Sequence, residues 1–141
     1  MDDIEAIKRL KAAYFRTIDT KDWEGLRALM APEVTVDVSA DGAGVFEGVD
    51  AFLEMLVPTL RDVVTVHHGH MPEIGLTSPT TASGIWAMED VLRFPPEVGL
   101  GELHGWGHYH ETYEKADGRW RFRSIRLTRL RLDLTPLDPP P

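Results

Sequence analysis

The sequence contains no cysteine, which removes disulfide scaffolds, thiolate zinc sites, iron–sulfur clusters and cysteine nucleophiles together. It has no apolar run approaching the length of a membrane span, and its opening residues, MDDIEAIKRLK, lack a signal-type apolar stretch. There is no HExxH pattern, no internal repeat and no low-complexity block. Positive charge is scarce. Fifteen Lys and Arg against 23 Asp and Glu leave a net charge of −8, which disfavours nucleic acid as a partner. These absences set the expectation of a soluble, cytoplasmic protein with no membrane or nucleic-acid role.

What is present suffices for one domain spanning 1–141. A chain of 141 residues, 43% hydrophobic and 27% charged, buries roughly two-thirds of its unfolded surface and needs no metal to fold. Ile4, Ile7, Leu10, Tyr14 and Ile18 recur at helical spacing, so 3–18 is an amphipathic helix. Asp22 caps a short second helix carrying Trp23, Leu26 and Met30 and ended by Pro32. Alternation of Val34, Val36 and Val38 predicts a strand over 33–39, with a turn from Asp41-Gly42. Phe52, Met55, Leu56 and Leu60 mark a third helix. Four strands follow at 63–74, 80–94, 103–115 and 119–132, the last two joined by a hairpin at Asp117-Gly118. Residues 94–101 form a longer loop at a pocket mouth, and 133–141 an extended or frayed tail ending in Pro139-Pro140-Pro141. Helices segregated from an antiparallel meander mean α+β, and a curved sheet wrapped on helices encloses a cavity.

Alternation along the strands sorts side chains by face. Trp86, Met88 and Asp90 share one row, as do Tyr109, Glu111 and Tyr113. In the last strand, Trp120, Phe122, Ser124, Arg126 and Thr128 form the row expected to face inward, led by its two aromatics. The opposite row holds Arg121, Arg123, Ile125, Leu127, Arg129 and Arg131. A lone charge among core residues must be paired, neutralised or wetted. Asp90 and Arg126 therefore either floor one polar pocket or form a salt bridge at a strand end. Asp19, at the C-terminal end of the first helix, opposes the helix dipole. It is either a solvated turn residue or held there by a partner.

Six histidines fall in two strands: His67, His68 and His70, then His104, His108 and His110. An intervening strand would hold the two groups roughly 9.5 Å apart, too far for a shared metal ion. No metal is expected. His68, His70, His108 and His110 are assigned to the outer face or an interface.

Four stretches, YFRTIDTKDW (14–23), TVHHGHMPEI (65–74), TASGIWAMED (81–90) and GHYHETYEKADGRWRF (107–122), resemble the SnoaL-like, nuclear-transport-factor-two-like superfamily. That resemblance implies a conical barrel, a strongly curved antiparallel sheet wrapped on three helices of the N-terminal half. Around the pocket the sequence is similar to scytalone dehydratase, bacterial bile-acid dehydratase and lindane dehydrochlorinase, groups that carry out β-elimination without cofactor. The resemblance implies His67 as the base and Asp19 as its partner. It places Tyr14 and Asp90 at two further polar positions, and a C-terminal-strand arginine at Arg126, with Arg129 as the alternative.

In that chemistry an imidazole takes a proton beside a carbonyl, and a carboxylate on its second nitrogen fixes the tautomer. Tyr14 would donate to the growing enolate. Asp90, protonated, would assist departure of a hydroxyl, and Arg126 would hold Asp90 charged or anchor an anionic group. Trp86, Met88, Tyr109 and Phe122 are expected to contact a small hydrophobic substrate of steroid-, polyketide- or aromatic-like shape. The expected activity is a cofactor-independent, dehydratase-type lyase. The alternatives are an isomerase or polyketide cyclase of the same superfamily, or a noncatalytic small-molecule binder. Ile125 and Leu127 on the outer row point to a covered sheet, hence a homodimer or homotrimer.

Overall fold

Three helices lie in the hollow of one curved six-stranded sheet in the computed structural model, which describes residues 1–137. Of the 133–141 tail expected to be extended or frayed, 133–135 continue the last strand in register with its neighbour, and Pro139-Pro140-Pro141 lies outside the described residues. Helix α1 spans Asp3–Asp19, and Asp2 caps it by accepting the Glu5 N–H at 2.8 Å. Its buried face comprises the expected Ile7, Leu10, Tyr14 and Ile18, with Phe15, Thr17 and the unexpected Lys11. Each fully buried aliphatic side chain here contributes about 1.5–3 kcal/mol. Immediately after Asp19 the chain reverses. Lys21 adopts a left-handed φ of 62°, and the amides of Thr20, Lys21 and Asp22 bond back to carbonyls of the last turn.

Helix α2 (Trp23–Ala28) starts at the predicted cap, with the Gly25 N–H donated to Asp22 at 3.0 Å. It ends sooner than expected. Met30 already opens strand β1 (Met30–Asp37), and Pro32 sits in that strand, where the ladder to its neighbour is irregular. A 3-10 turn at Ser39–Asp41 leads to the short strand β2 (Val45–Glu47), then to helix α3 (Val49–Leu60), which buries Phe52, Leu53, Leu56 and Leu60.

Strands β3 (Val64–Ser78), β4 (Thr81–Arg93), β5 (Glu102–Ala116) and β6 (Arg119–Thr135) form the expected meander. Asp117 and Gly118 make its last turn with φ of 52° and 75°, the left-handed pair a two-residue hairpin requires. The sheet order is β2-β1-β6-β5-β4-β3, antiparallel except where β1 runs parallel to β6.

Two irregularities in β6 decide which side chains face inward. Phe122 pairs with Tyr113 but Ser124 with Thr112, so Arg123 is an extra residue; Leu130 is another, between Arg129 and Arg131. A bulge of one residue flips every later side chain to the other face. Trp120 and Phe122 point inward as predicted, but beyond the first bulge the inward row is Ile125, Leu127 and Arg129. Ile125 and Leu127, placed on the outer row by simple alternation, are core residues. Arg126 is consequently turned outward and exposed.

Candidate active site

Asp19 sits where its helix least favours a carboxylate, at the negative end of the α1 dipole. Strand β3 offsets this with three donors. The Thr65 hydroxyl reaches Asp19 Oδ1 at 2.9 Å, the His67 backbone N–H reaches Oδ2 at 2.9 Å, and the His67 ring Nδ1 lies 2.7 Å from Oδ1. Lys21, brought back by the turn after α1, donates to Thr65 at 3.0 Å. Burial by itself would raise the Asp19 carboxyl, but the bonds from the His67 ring and backbone and from Thr65 outweigh it and hold the group below its ordinary value. A neutral imidazole carries one N–H. With that hydrogen on Nδ1 toward Asp19, the lone pair is on Nε2.

Nε2 faces a cavity of about 290 Å³. Its lining is mainly aliphatic and aromatic, from Ile18, Phe52, Leu56, Leu92, Phe94, Leu127 and neighbours, and its polar groups are gathered with His67: Tyr14, Tyr109, Asp90, Asp41 and Arg129, with Thr59 on α3. A larger depression of about 780 Å³ lies on the outer face of the sheet, beside Arg126, His110 and Asp37. Its lining holds no bonded histidine–carboxylate pair, whereas that of the smaller cavity does. The Phe15 ring stacks on His67 with centroids 5.9 Å apart and planes 12° from parallel, fixing the imidazole from behind.

Across the cavity, Asp90 Oδ2 is 3.9 Å from His67 Nε2. Asp90 is nearly inaccessible and accepts two hydrogen bonds from Arg129, Nη1 to Oδ1 at 2.7 Å and Nη2 to Oδ2 at 3.0 Å. This is a two-pronged guanidinium–carboxylate ion pair. Arg129, the alternative to Arg126, is the arginine that faces the cavity, and the bulge at Arg123 is the reason. The pair forbids a side chain at residue 105 of β5. A Cβ on Gly105 would collide with Arg129 Nη1 and lie 2.6 Å from Asp90 Oδ1.

Arg129 has a second partner that the sequence did not signal beyond a turn. Asp41, in the loop between β1 and β2, accepts from Nε at 2.9 Å and from Nη2 at 3.0 Å. Met88 Sδ lies 3.6 Å from Nη1. The five guanidinium N–H groups are thus all spoken for, and none remains to anchor an anionic ligand. Burial by itself would lower the guanidinium, but its bonds to Asp90 and Asp41 raise it above its ordinary value.

Tyr14 and Tyr109 line the cavity with rings 6.0 Å apart, and burial pushes both phenols up, so both remain protonated donors. Of the other expected contact residues, Tyr109 reaches the cavity; Trp86, Met88 and Phe122 lie behind its wall. Trp86 donates its indole N–H to Tyr113 at 3.0 Å, Phe122 packs on Tyr14 and Tyr113, and Met88 backs Arg129. These three residues belong to the buried core that packs against α1. His70 and His104 sit on the outer face beside Glu89, at 3.3 and 3.1 Å. Among the described residues no three His, Asp or Glu converge on a point that could hold a metal ion.

Comparison with known proteins gives the family and the fold. The SnoaL-like domain matches residues 1–126. The protein named Probable cyclase FGR4 of Gibberella zeae is 29% identical over 136 residues, covering 88% of this chain and 89% of its own. Scytalone dehydratase arp1 of Aspergillus fumigatus is 25% identical over 139 residues, covering 89% and 81%. A crystal structure from Novosphingobium aromaticivorans, provisionally named a scytalone dehydratase, superposes with a TM-score of 0.84 at 26% identity over 93% of this chain and 86% of that one. A hexachlorocyclohexane dehydrochlorinase (LinA) superposes with a TM-score of 0.80 at 20% identity over 95% and 88%, a likeness of fold. With nine-tenths of its length inside the matching domain, the chain belongs to the SnoaL-like family.

Proposed function

We propose that this protein is a dehydratase-type lyase that eliminates water from a small, hydrophobic β-hydroxy carbonyl compound, with His67 and Asp19 as its base dyad. The observation that carries this reading is the 2.7 Å contact of His67 Nδ1 with Asp19, which leaves the lone pair of Nε2 directed into an apolar cavity. His67 Nε2 takes the proton on the carbon next to the carbonyl, and Asp19 stabilises the resulting imidazolium. The electron pair of the broken C–H bond moves toward the carbonyl oxygen, where Tyr14 and Tyr109 donate hydrogen bonds. Collapse of the enolate forms the carbon–carbon double bond and breaks the C–O bond. The imidazolium returns its proton to the departing hydroxide, so water leaves and His67 is restored. Asp90, held by Arg129, lies on the far side of Nε2 and orients the imidazolium between two carboxylates.

Its partner is therefore a neutral organic molecule with an aromatic, polyketide or fused-ring skeleton. The relatives named as scytalone dehydratases support elimination of water, and the relative named a cyclase leaves carbon–carbon ring closure on the same base as the second reading. For assembly we propose a homodimer or homotrimer through the outer sheet face, where Ile85 and Leu130 are exposed. Light scattering at the 15.9 kDa monomer mass would refute it.

The test is a panel of β-hydroxy ketones on one to three fused rings, followed in deuterated water. Elimination gives water loss and an enone. Deuterium incorporation without water loss means isomerase-type chemistry, and binding without either means a ligand-binding protein. The His67→Ala variant should lose at least about a hundredfold in turnover while retaining the fold.

A further inference from the structure

Directly beneath the phenols of the cavity lies an ion pair that the proposed reaction does not use. Lys11 on α1 and Glu111 on β5 are both removed from solvent and bonded Nζ to Oε2. A buried ion pair is seldom a gain over apolar residues of the same size, so its orientation is the informative property. Glu111 is tied away from the cavity, accepting the Tyr113 hydroxyl at 2.7 Å, which in turn accepts the Trp86 indole N–H. The ammonium lies against ring faces, 3.6 Å from the centroid of Tyr109 and 4.1 Å from that of Tyr14, with Phe15 at 4.8 Å. These are the two phenols that line the cavity.

We infer that Lys11 is a positioning residue for the oxyanion end of the site, its charge held by Glu111 on the faces of Tyr14 and Tyr109 so that both hydroxyls donate more strongly to an enolate-like oxygen. A cation on a π-face draws electron density from the ring and makes its O–H a better donor, in a setting without water to screen it. The inference rests on the proposed role of the two phenols. It goes beyond the base dyad by placing a fixed positive charge behind them.

The test uses 4-nitrophenolate as a probe for an enolate-like oxygen and 4-nitrotoluene as its uncharged counterpart, with binding read by absorbance and by displacement. The Lys11→Met/Glu111→Gln double variant removes both charges together. It should weaken phenolate binding by about tenfold and leave 4-nitrotoluene binding unchanged. In a Tyr14→Phe/Tyr109→Phe background the same double change should have no effect on phenolate. Burial lowers the Lys11 ammonium and only Glu111 holds it up, so Glu111→Gln alone should also weaken phenolate binding and spare 4-nitrotoluene, a second reading that does not depend on the double variant folding. Equal weakening of both probes, an effect that persists without the phenols, a Glu111→Gln variant that binds phenolate as well as wild type, or a wild type that does not prefer the phenolate would each overturn the inference. Absence of water loss from every β-hydroxy ketone, with the probe pattern intact, would count against the elimination and leave the role of Lys11 standing.

Discussion

Asp19 holds His67 twice, with Oδ1 2.7 Å from the ring Nδ1 and Oδ2 2.9 Å from the backbone nitrogen of the same residue. The carboxylate therefore fixes both the strand that carries the imidazole and the tautomer of the ring. Asp19→Asn keeps the size of the side chain but can no longer act as a purely accepting partner, so the lone pair of the ring can turn to Nδ1. Turnover should fall by about a thousandfold or more while the secondary structure is retained. Steady-state kinetics with circular dichroism check this, and an unimpaired kcat would remove the dyad from the mechanism.

Much of this arrangement is written locally in the sequence. Helical spacing gives the inner face of α1, and Asp117-Gly118 gives the β5–β6 turn, because each depends on neighbours a few residues apart. His67 and Asp90 face one another because they pair directly across β3 and β4. The choice between Arg126 and Arg129 turns on an equally physical point: period-two alternation through β6 points Arg126 inward, and a single extra residue at Arg123 reverses it in favour of Arg129. A signal was available, since two large aliphatics, Ile125 and Leu127, stand in a row otherwise made of arginines. Lys11 was likewise visible in the apolar stripe of α1, between Ile7 and Tyr14, with Glu111 between two tyrosines on β5. Asp41 had no such signal. Its role depends on a loop conformation that only the assembled sheet fixes.

The reversal in β6 predicts a sharp contrast between two neighbouring arginines. Arg129→Met leaves the buried Asp90 carboxylate without its two donors and should cost about 3–5 kcal/mol in stability. Arg126→Met, on the exposed face, should stay within about 0.5 kcal/mol of wild type. Urea denaturation of the two variants measures both. Equal effects would mean that β6 runs without the bulge.

Gly105 offers a test of the same ion pair from the opposite strand. Gly105→Ala introduces a methyl group into the space occupied by Arg129 Nη1 and Asp90 Oδ1. One of the two must move, at a cost of about 1–3 kcal/mol typical of overpacking. Because Asp90 stands opposite His67 Nε2, kcat should fall together with stability. A fully active, fully stable Gly105→Ala protein would show that the pair is not held as tightly as its distances imply.

Acid should act on the dyad in a defined direction. The folded state holds the Asp19 carboxyl below the 3.8 of a free aspartate, so the unfolded chain binds the proton first as pH falls. The stabilisation from Asp19 is therefore complete above that ordinary value and is lost as pH falls through the depressed folded one. Asp19→Asn has no such proton to bind. The stability difference between wild type and Asp19→Asn should shrink as the solution is made more acidic than the ordinary carboxylate value. Urea titrations of both proteins across this range read the difference directly. A difference that stays constant, or grows, below the ordinary carboxylate value would mean that Asp19 is not held as a carboxylate by His67 and Thr65.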